Sequence, residues 1–220
     1  MATVRASAGQ LIFKTLDWGM SLESISGRDI NGDGEPDLVF VGYSGGAHCC
    51  WTYWIVSLGG RPGLIKKIEN ERTAEFKPTG PNGRIEVWTF DGAFDYFDDF
   101  SHAETVFPDV VLRIEGHSVR DVSADHRDFF DHAISNTRAR LTPEVVQKSK
   151  SFAVHSSEIR SYEGDVLKIV FAYLYGGRPR EAWRALDDYW PEHDVQHIKQ
   201  VILHDRAYGV LRYVTLRPSG

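Results

Sequence analysis

Residues 27–51 read GRDINGDGEPDLVFVGYSGGAHCCW and carry the strongest structural signals of the chain. Acidic and amide side chains alternate with other residues from Asp29 to Asp33, among glycines that permit a sharp turn. The run DLVFVGY follows directly, and its β-branched and aromatic residues predict a strand. After it come a G-x-S-x-G at residues 42–46 and two adjacent cysteines. The stretch therefore predicts a polar loop that leads into a β-strand.

Further strands are predicted after this stretch. The runs WTYWIVSL, RIEVWTF and DVVLRIEG have the same character and are separated by Gly, Pro and Asn clusters. From Ser123 onward the period becomes helical, in SADHRDFFDHAISNTRARL, GDVLKIVFAYLYGG, PREAWRALDDYW and VQHIKQVILHD, before a possible last strand in AYGVLRYVTL. Strands first and helices afterwards predict an α+β fold, with an antiparallel β region at residues 1–122 and a helical region at residues 123–220.

A weak internal repeat lies within the β region. Setting Gly34 against Gly83 aligns DINGDGEPDLV with PTGPNGRIEVW and places Asp37 opposite Glu86, at a pitch of 49 residues. The first two polar positions of the loop become Pro78 and Gly80 in the second copy. Two related β units are expected, which are too few for a closed propeller.

Composition limits the kind of partner. The chain has 220 residues, 42% of them hydrophobic, which is enough for a substantial core. Its net charge of −6 argues against nucleic acid as a partner, because phosphate binding needs a basic surface. No apolar run has the length of a transmembrane helix, so no transmembrane segment is expected.

The polar loop has the side chains of a calcium site. Asp29, Asn31 and Asp33 stand at positions 1, 3 and 5, the Glu35 carbonyl at position 7 and the Asp37 side chain at position 9. Calcium prefers six to eight oxygen ligands of this kind. Because a strand begins where an EF-hand would need a helix and a Glu, an EF-hand is excluded. Turn formation by D-G and N-G pairs without an ion is the alternative.

This arrangement resembles the FG-GAP/VCBS family, the calcium-loop repeat of integrin-α propellers and many bacterial surface proteins. The residues that carry the resemblance are Asp29, Asn31, Asp33, Gly34, Asp37, Leu38 and Val39. The resemblance implies that Asp29, Asn31, Asp33, Glu35 and Asp37 hold Ca²⁺ between two strands. It covers about 15 residues strongly, and a full propeller is not implied.

The expected location is periplasmic or secreted. The N-terminus lacks the apolar core of a signal peptide, so either a signal was removed or the protein is cytoplasmic. Extracellular calcium sites bind with dissociation constants of about 10⁻⁴–10⁻³ M, which resting cytosol would leave empty. Cys49 and Cys50 are the only cysteines, and they form either a vicinal disulfide or two free thiols.

Two enzyme hypotheses compete with a binding function. Ser44 lies in the G-x-S-x-G of a nucleophile elbow, although a strand rather than a helix is expected to follow it. The loop at residues 91–104, DGAFDYFDDFSHAE, mixes carboxylates with aromatic residues, as glycosidase clefts do. A hydrolase that uses either feature is therefore an alternative.

The helical region contains one helix pair that resembles a tetratricopeptide repeat. Tyr173, Gly177, Ala182 and Leu186 fall at the spacing of that motif. The sequence as a whole favours a calcium-stabilised, non-catalytic extracytoplasmic protein that binds a protein or glycan partner, including an inhibitor or immunity type. A structural module of a larger assembly is the third hypothesis.

Overall fold

The computed structural model describes residues 1–46, 50–70, 72–153 and 156–214. Within these ranges the chain forms ten strands and five α-helices. The strands are β1 (Ala2–Arg5), β2 (Leu11–Thr15), β3 (Ser21–Leu22), β4 (Asp37–Tyr43), β5 (Trp51–Ser57), β6 (Gly63–Glu69), β7 (Ala74–Thr79), β8 (Arg84–Phe90), β9 (Asp109–Glu115) and β10 (Ser118–Asp121). The helices are α1 (Arg127–Arg138), α2 (Pro143–Ser149), α3 (Arg160–Tyr175), α4 (Pro179–Tyr189) and α5 (Val195–Tyr208). The predicted α+β fold is confirmed.

The strands form two four-stranded sheets and one hairpin. One sheet has the order β3-β4-β5-β6 and the other the order β10-β9-β8-β7, while β1 pairs with β2. In the first sheet, Asp37 is opposite Ser57 and Tyr43 is opposite Trp51, so β4 and β5 are paired along their full length. Each four-stranded sheet is thus built from four strands that are consecutive in the sequence.

The internal repeat corresponds to these two sheets. The polar loop connects β3 to β4, and the turn at Gly80 and Gly83 connects β7 to β8. Both connections therefore lie between the first and second strands of their sheets. The two aligned acidic residues are also alike, since Asp37 in β4 is 0% exposed and Glu86 in β8 is 2% exposed.

The apolar residues of the first sheet fill a core on one of its faces. Trp54 and Val56 of β5 form a buried cluster with Val4 of β1 and Phe13 of β2. The Phe13 ring lies 5.9 Å from the Phe40 ring of β4. Successive side chains of a strand point to opposite faces, so Phe40 of β4 and its cross-strand neighbour Trp54 of β5 lie on the same side of the sheet.

The chain divides into two compact units that are not consecutive segments. The first unit contains residues 1–90, 111–121 and 210–220, and the second contains residues 91–110 and 122–209. The segment at residues 91–110 belongs with the helices because its phenylalanines pack on α3. The Phe94 and Phe97 rings lie 4.7 and 6.0 Å from Phe171 of α3.

The second unit holds all five α-helices of the described residues. Helices α3 and α4 form the predicted helix pair, joined at Gly176 and Gly177, and Leu186 and Trp190 are fully buried. None of the helices in the described ranges is both long enough and apolar enough to cross a membrane.

The strand predicted near the C-terminus is wrong in its described part. Val210–Tyr213 form a 3-10 helix, and residues 215–220 lie outside the described ranges. This helix belongs to the first unit, where the Tyr213 hydroxyl donates to the Glu69 carbonyl at 3.2 Å and Arg212 donates to the same carbonyl at 3.0 Å. The 3-10 helix therefore lies against the end of β6.

Candidate functional site: the polar loop before strand β4

The polar loop is closed at its base by backbone hydrogen bonds. The Asp37 amide donates to the Arg28 carbonyl at 2.8 Å, and the Gly27 amide donates to the Asp37 carbonyl at 2.8 Å. Farther along the loop, the Asn31 carbonyl accepts from the Gly116 amide at 2.9 Å. The start of β4 and the β9–β10 turn thus fix the loop in place.

Inside the loop, three side chains face inward and accept hydrogen bonds from backbone amides. Asp29 accepts from Gly32 at 2.6 Å and from Gly34 at 2.9 Å. Asn31 accepts from the amide of Asp33 at 2.9 Å. Asp33 accepts from the Glu35 amide at 2.9 Å and from the Asn31 side-chain amide at 3.2 Å. The alternate polar side chains therefore bind backbone amides of the same turn.

Asp37 lies at the bottom of the loop with an unsatisfied oxygen. Its Oδ2 accepts from the amides of Ile30 and Asn31 at 2.8 and 3.1 Å. Its Oδ1 is buried and has no hydrogen-bond partner within the described ranges. A buried polar atom without a partner carries a desolvation penalty of about 1–3 kcal/mol, more when it is charged. This position calls for a hydrogen-bond donor or a cation.

The electrostatics of the loop also favour a cation beside Asp37. Burial raises the pKa of the Asp37 carboxyl above its ordinary value, and the negative charges of Asp33 and Asp29 raise it further. The two backbone hydrogen bonds from Ile30 and Asn31 oppose the increase. A bound cation would reverse it, because an opposite charge stabilises the ionised carboxylate.

The side-chain oxygens of the polar loop are suitable ligands for a hard cation, although they do not converge on one point. Within the described residues, no three His, Cys, Asp or Glu side chains come together as a metal ion would need. A carboxylate has about four lone-pair positions, so Asp29, Asp33 and Asp37 each keep at least one after the hydrogen bonds above. With the Asn31 amide oxygen these residues supply only oxygen, which is what calcium prefers. Backbone carbonyls would have to complete the coordination.

Two neighbours of the loop were not predicted from the sequence. Gly32 has φ +82°, and a side chain there would meet the guanidinium of Arg84, the first residue of β8. Gly59, in the β5–β6 turn, lies so close to the loop that a Cβ would be 2.8 Å from Asp33 Oδ2. Arg84 brings a positive charge to the loop, and Gly59 leaves room for the Asp33 carboxylate. Neither residue carries a local sequence signal, because both approach from other strands.

In the second repeat, the charge of the buried carboxylate is compensated by another side chain of the protein. The buried Glu86 carboxylate forms an ion pair with the Arg113 guanidinium on β9. The Glu86 side chain is 2% exposed and the Arg113 side chain 23% exposed. The aligned Asp37 receives only backbone amide donors in its hydrogen bonds. The second copy thus has an arginine beside its buried carboxylate, whereas in the first copy Asp37 Oδ1 has no hydrogen-bond partner among the described residues.

Ser44 lies in a hairpin connection rather than in a strand-to-helix turn. Its Oγ accepts from the Cys50 amide at 2.9 Å, and its own amide donates to the Cys50 carbonyl at 3.2 Å. The strands on either side, β4 and β5, pair with each other. A nucleophile elbow needs a helix after the serine, so the local fold of the hydrolase hypothesis is absent at Ser44.

The predicted cysteine pair lies only partly within the described ranges. Cys49 belongs to the undescribed residues 47–49. Cys50 is disulfide-bonded and begins the return of the hairpin into β5.

In the acidic loop at residues 91–104, the carboxylates form hydrogen bonds with side chains of the loop and of the helices. Tyr175 donates to Asp91 at 2.7 Å. Arg160 contacts both oxygens of Asp99 at 2.8 and 3.1 Å. Two further pairs are Asp95 with His102 at 2.8 Å and Asp98 with His197 at 2.9 Å. The loop is a network of ion pairs and hydrogen bonds within the second unit.

Comparison with protein-family models, with curated proteins and with solved structures found no match for this chain.

Proposed function

We propose that this chain is a calcium-stabilised, non-catalytic binding protein that works outside the cytoplasm. The observation that carries the proposal is the buried Oδ1 of Asp37, which has no hydrogen-bond partner among the residues that the structure describes and lies beside a loop of polar oxygen atoms. Asp29, Asn31, Asp33 and Asp37 would hold the ion through side-chain oxygens, and Glu35 through its carbonyl. Calcium would neutralise the carboxylates and join the loop to the start of β4.

The proposed ion has a structural role. Its ligands lie between β3 and β4, and Asp37 is 0% exposed, so a substrate has little access to that carboxylate. A calcium ion held almost wholly by protein oxygens stabilises the fold and has few positions left for chemistry. The extracytoplasmic location rests on the affinity that such sites usually have, about 10⁻⁴–10⁻³ M.

The binding function is supported by large apolar side chains on the surface of the first unit. Leu16 is 80% exposed and Trp18 is 79% exposed. The Trp18 carbonyl accepts from the Tyr43 amide at 3.1 Å, which ties the segment to the end of β4. Exposed tryptophans are enriched at the centres of interfaces, where one ring buries a large apolar area.

Isothermal titration calorimetry with calcium tests the metal part of the proposal. The wild type should bind one ion, whereas Asp33→Ala should bind at least about tenfold more weakly because one charged ligand is lost. Asp187→Asn, an exposed carboxylate on α4, is the charge-matched control and should bind like the wild type. Absence of binding heat in the wild type, or equal binding by Asp33→Ala, would refute the site.

A screen of a glycan array and a peptide display library tests the partner part. Each would be probed with the wild type and with Trp18→Ala, a change at an exposed residue that should preserve the fold. Ligands retained by the wild type and lost by the variant would support a partner surface at Trp18. The same set of ligands for both proteins would show that Trp18 does not contribute to binding.

A further inference from the structure

The helical unit contains a pocket of about 370 Å³ between α1 and α3. This volume is within the range of about 300–1,000 Å³ that small-ligand pockets have. Its lining residues are Asp131, Ile134, Ser135, Arg138, Ala139 and Tyr173. The small side chains of Ser135 and Ala139 follow each other by one helical turn and leave room over buried Ile134.

Two arginines converge on the tyrosine of this pocket. The Arg138 guanidinium lies 5.9 Å from the centre of the Tyr173 ring and donates to the Tyr173 hydroxyl at 3.0 Å. The Arg178 guanidinium lies 4.8 Å from the same ring. Guanidinium groups on an aromatic ring are held in place by cation–π attraction, which leaves their N–H edges available for an anion.

The balance of charge around the pocket is positive. The one carboxylate in the lining, Asp131, is paired with both Arg178 and Arg127. The pKa of Asp131 is lowered, chiefly by its hydrogen bond from Arg178, so it is ionised at neutral pH. Two guanidinium groups therefore neutralise this carboxylate, and Arg138 adds a further positive charge to the lining. Moreover, Nε and Nη2 of Arg178 are buried and have no hydrogen-bond partner within the described residues.

We propose that this pocket binds a carboxylate side chain presented by an acidic segment of a protein partner. Arg138 would pair with the carboxylate through its planar fork, and the Tyr173 hydroxyl would fix the orientation of that fork. This inference rests on the proposed function only in taking the partner to be a protein. The pocket lies in the second unit and uses none of the calcium ligands.

An acidic peptide fits the pocket better than an acidic sugar does. A sugar ring would stack on the face of Tyr173, where it would compete with the guanidiniums of Arg138 and Arg178. A carboxylate side chain needs only the N–H edge of Arg138, the arginine that lines the pocket. The exposed position of Arg138 also suits a ligand that approaches along the surface of α1.

Fluorescence anisotropy with a labelled, terminally blocked tetra-glutamate peptide tests the proposal at low ionic strength. The Arg138→Gln variant should bind at least about tenfold more weakly than the wild type, because a charge-assisted fork is lost. Ser135→Leu keeps every charge but fills the groove, and it should weaken binding to a similar extent. Arg184→Gln removes one exposed arginine from α4 and should leave the affinity unchanged.

Several outcomes would overturn the proposal. Equal affinity of the wild type and Arg138→Gln for the peptide would exclude a role for the Arg138 guanidinium. Equal weakening by Arg184→Gln would show that binding depends only on net charge. Tighter binding of an oligogalacturonate, or equal binding of free glutarate, would exclude an acidic protein segment as the ligand. Circular dichroism of each variant shows whether it is folded, and a missing calcium response would leave this result intact.

Discussion

Asp37 and Glu86 are buried acidic residues at aligned positions of the two sheets, and each carboxylate is stabilised in a different way. Glu86 has the Arg113 guanidinium beside it. Asp37 accepts from two backbone amides, and its other oxygen has no partner in the described part of the chain. A buried carboxylate is costly unless it is paired. The contrast suggests that the first repeat takes its cation from solution and that the second carries its cation in the chain.

The internal ion pair can be tested by Arg113→Met. Removal of Arg113 leaves Glu86 buried without its counter-ion, which should lower the free energy of unfolding by about 3 kcal/mol. Urea unfolding in the presence and absence of calcium measures the change, which should be the same in both. Arg120→Met is the matched control: its partner Glu115 and Arg120 itself are each about 30% exposed, so the loss should stay below about 1 kcal/mol. Equal losses in the two variants would contradict the special role of the Glu86 pair.

The calcium response should depend on pH through Asp37. Without calcium, the pKa of folded Asp37 is raised above the ordinary 3.8, chiefly by burial. Its contribution to stability is therefore fully present below about pH 3.8 and is lost as the pH rises through the raised folded pKa. Calcium requires the ionised carboxylate, so the stabilisation by calcium should grow as the pH rises through the folded pKa of Asp37.

Unfolding free energies measured with calcium and with EGTA between pH 4 and pH 8 test this linkage. The two curves should converge at the acidic end and separate toward neutral pH. A constant difference across the range would show that Asp37 does not ionise together with calcium binding.

Asp109, at the start of β9, should destabilise the protein when it is charged. Burial raises the pKa of its carboxyl to about 6. Ionisation at pH 8 therefore costs at most about 3 kcal/mol relative to the unfolded chain. Asp109→Asn should raise the free energy of unfolding at pH 8 and leave it nearly unchanged at pH 4, where the carboxyl is largely protonated in the folded protein. A stabilisation that is equal at both pH values would assign the effect to packing.

Ser44 should be dispensable for any chemistry and modestly important for the hairpin. Ser44→Ala removes the acceptor of the Cys50 amide, and loss of one such hydrogen bond costs about 1 kcal/mol. The wild type should not react with a fluorophosphonate probe of serine hydrolases. Labelling that disappears in Ser44→Ala would restore the hydrolase hypothesis.

The features that sequence predicts well here are those set by neighbouring residues. The strand β4 follows from its β-branched run. The calcium site at Asp29, Asn31 and Asp33 stays a prediction. The pairing of Glu86 with Arg113 joins two strands across 27 residues of chain, so no local pattern reveals it. The contacts of Arg84 and Gly59 with the polar loop are of the same long-range kind.

The acidic loop at residues 91–104 illustrates the other limit. Its phenylalanines recur at every third residue in Phe94, Phe97 and Phe100, which resembles a helix, yet Tyr96 and Asp98 have φ of 54° and 51°. The tertiary packing of those rings against α3 outweighs the local preference of Tyr96 and Asp98 for negative φ. The pocket between α1 and α3 likewise depends on residues that are distant in sequence.

The measurement that tests the central claim most directly is thermal and urea unfolding of the wild type and Asp37→Asn, each with calcium and with EGTA. At about 1 mM calcium and a dissociation constant of about 0.1 mM, the wild type should gain about 1.4 kcal/mol. Asp37→Asn should lose this gain, and in EGTA it should be at least as stable as the wild type, because the buried charge is gone. Asp187→Asn should respond to calcium like the wild type. A wild type that unfolds identically with calcium and with EGTA would contradict the calcium site and the account built on Asp37.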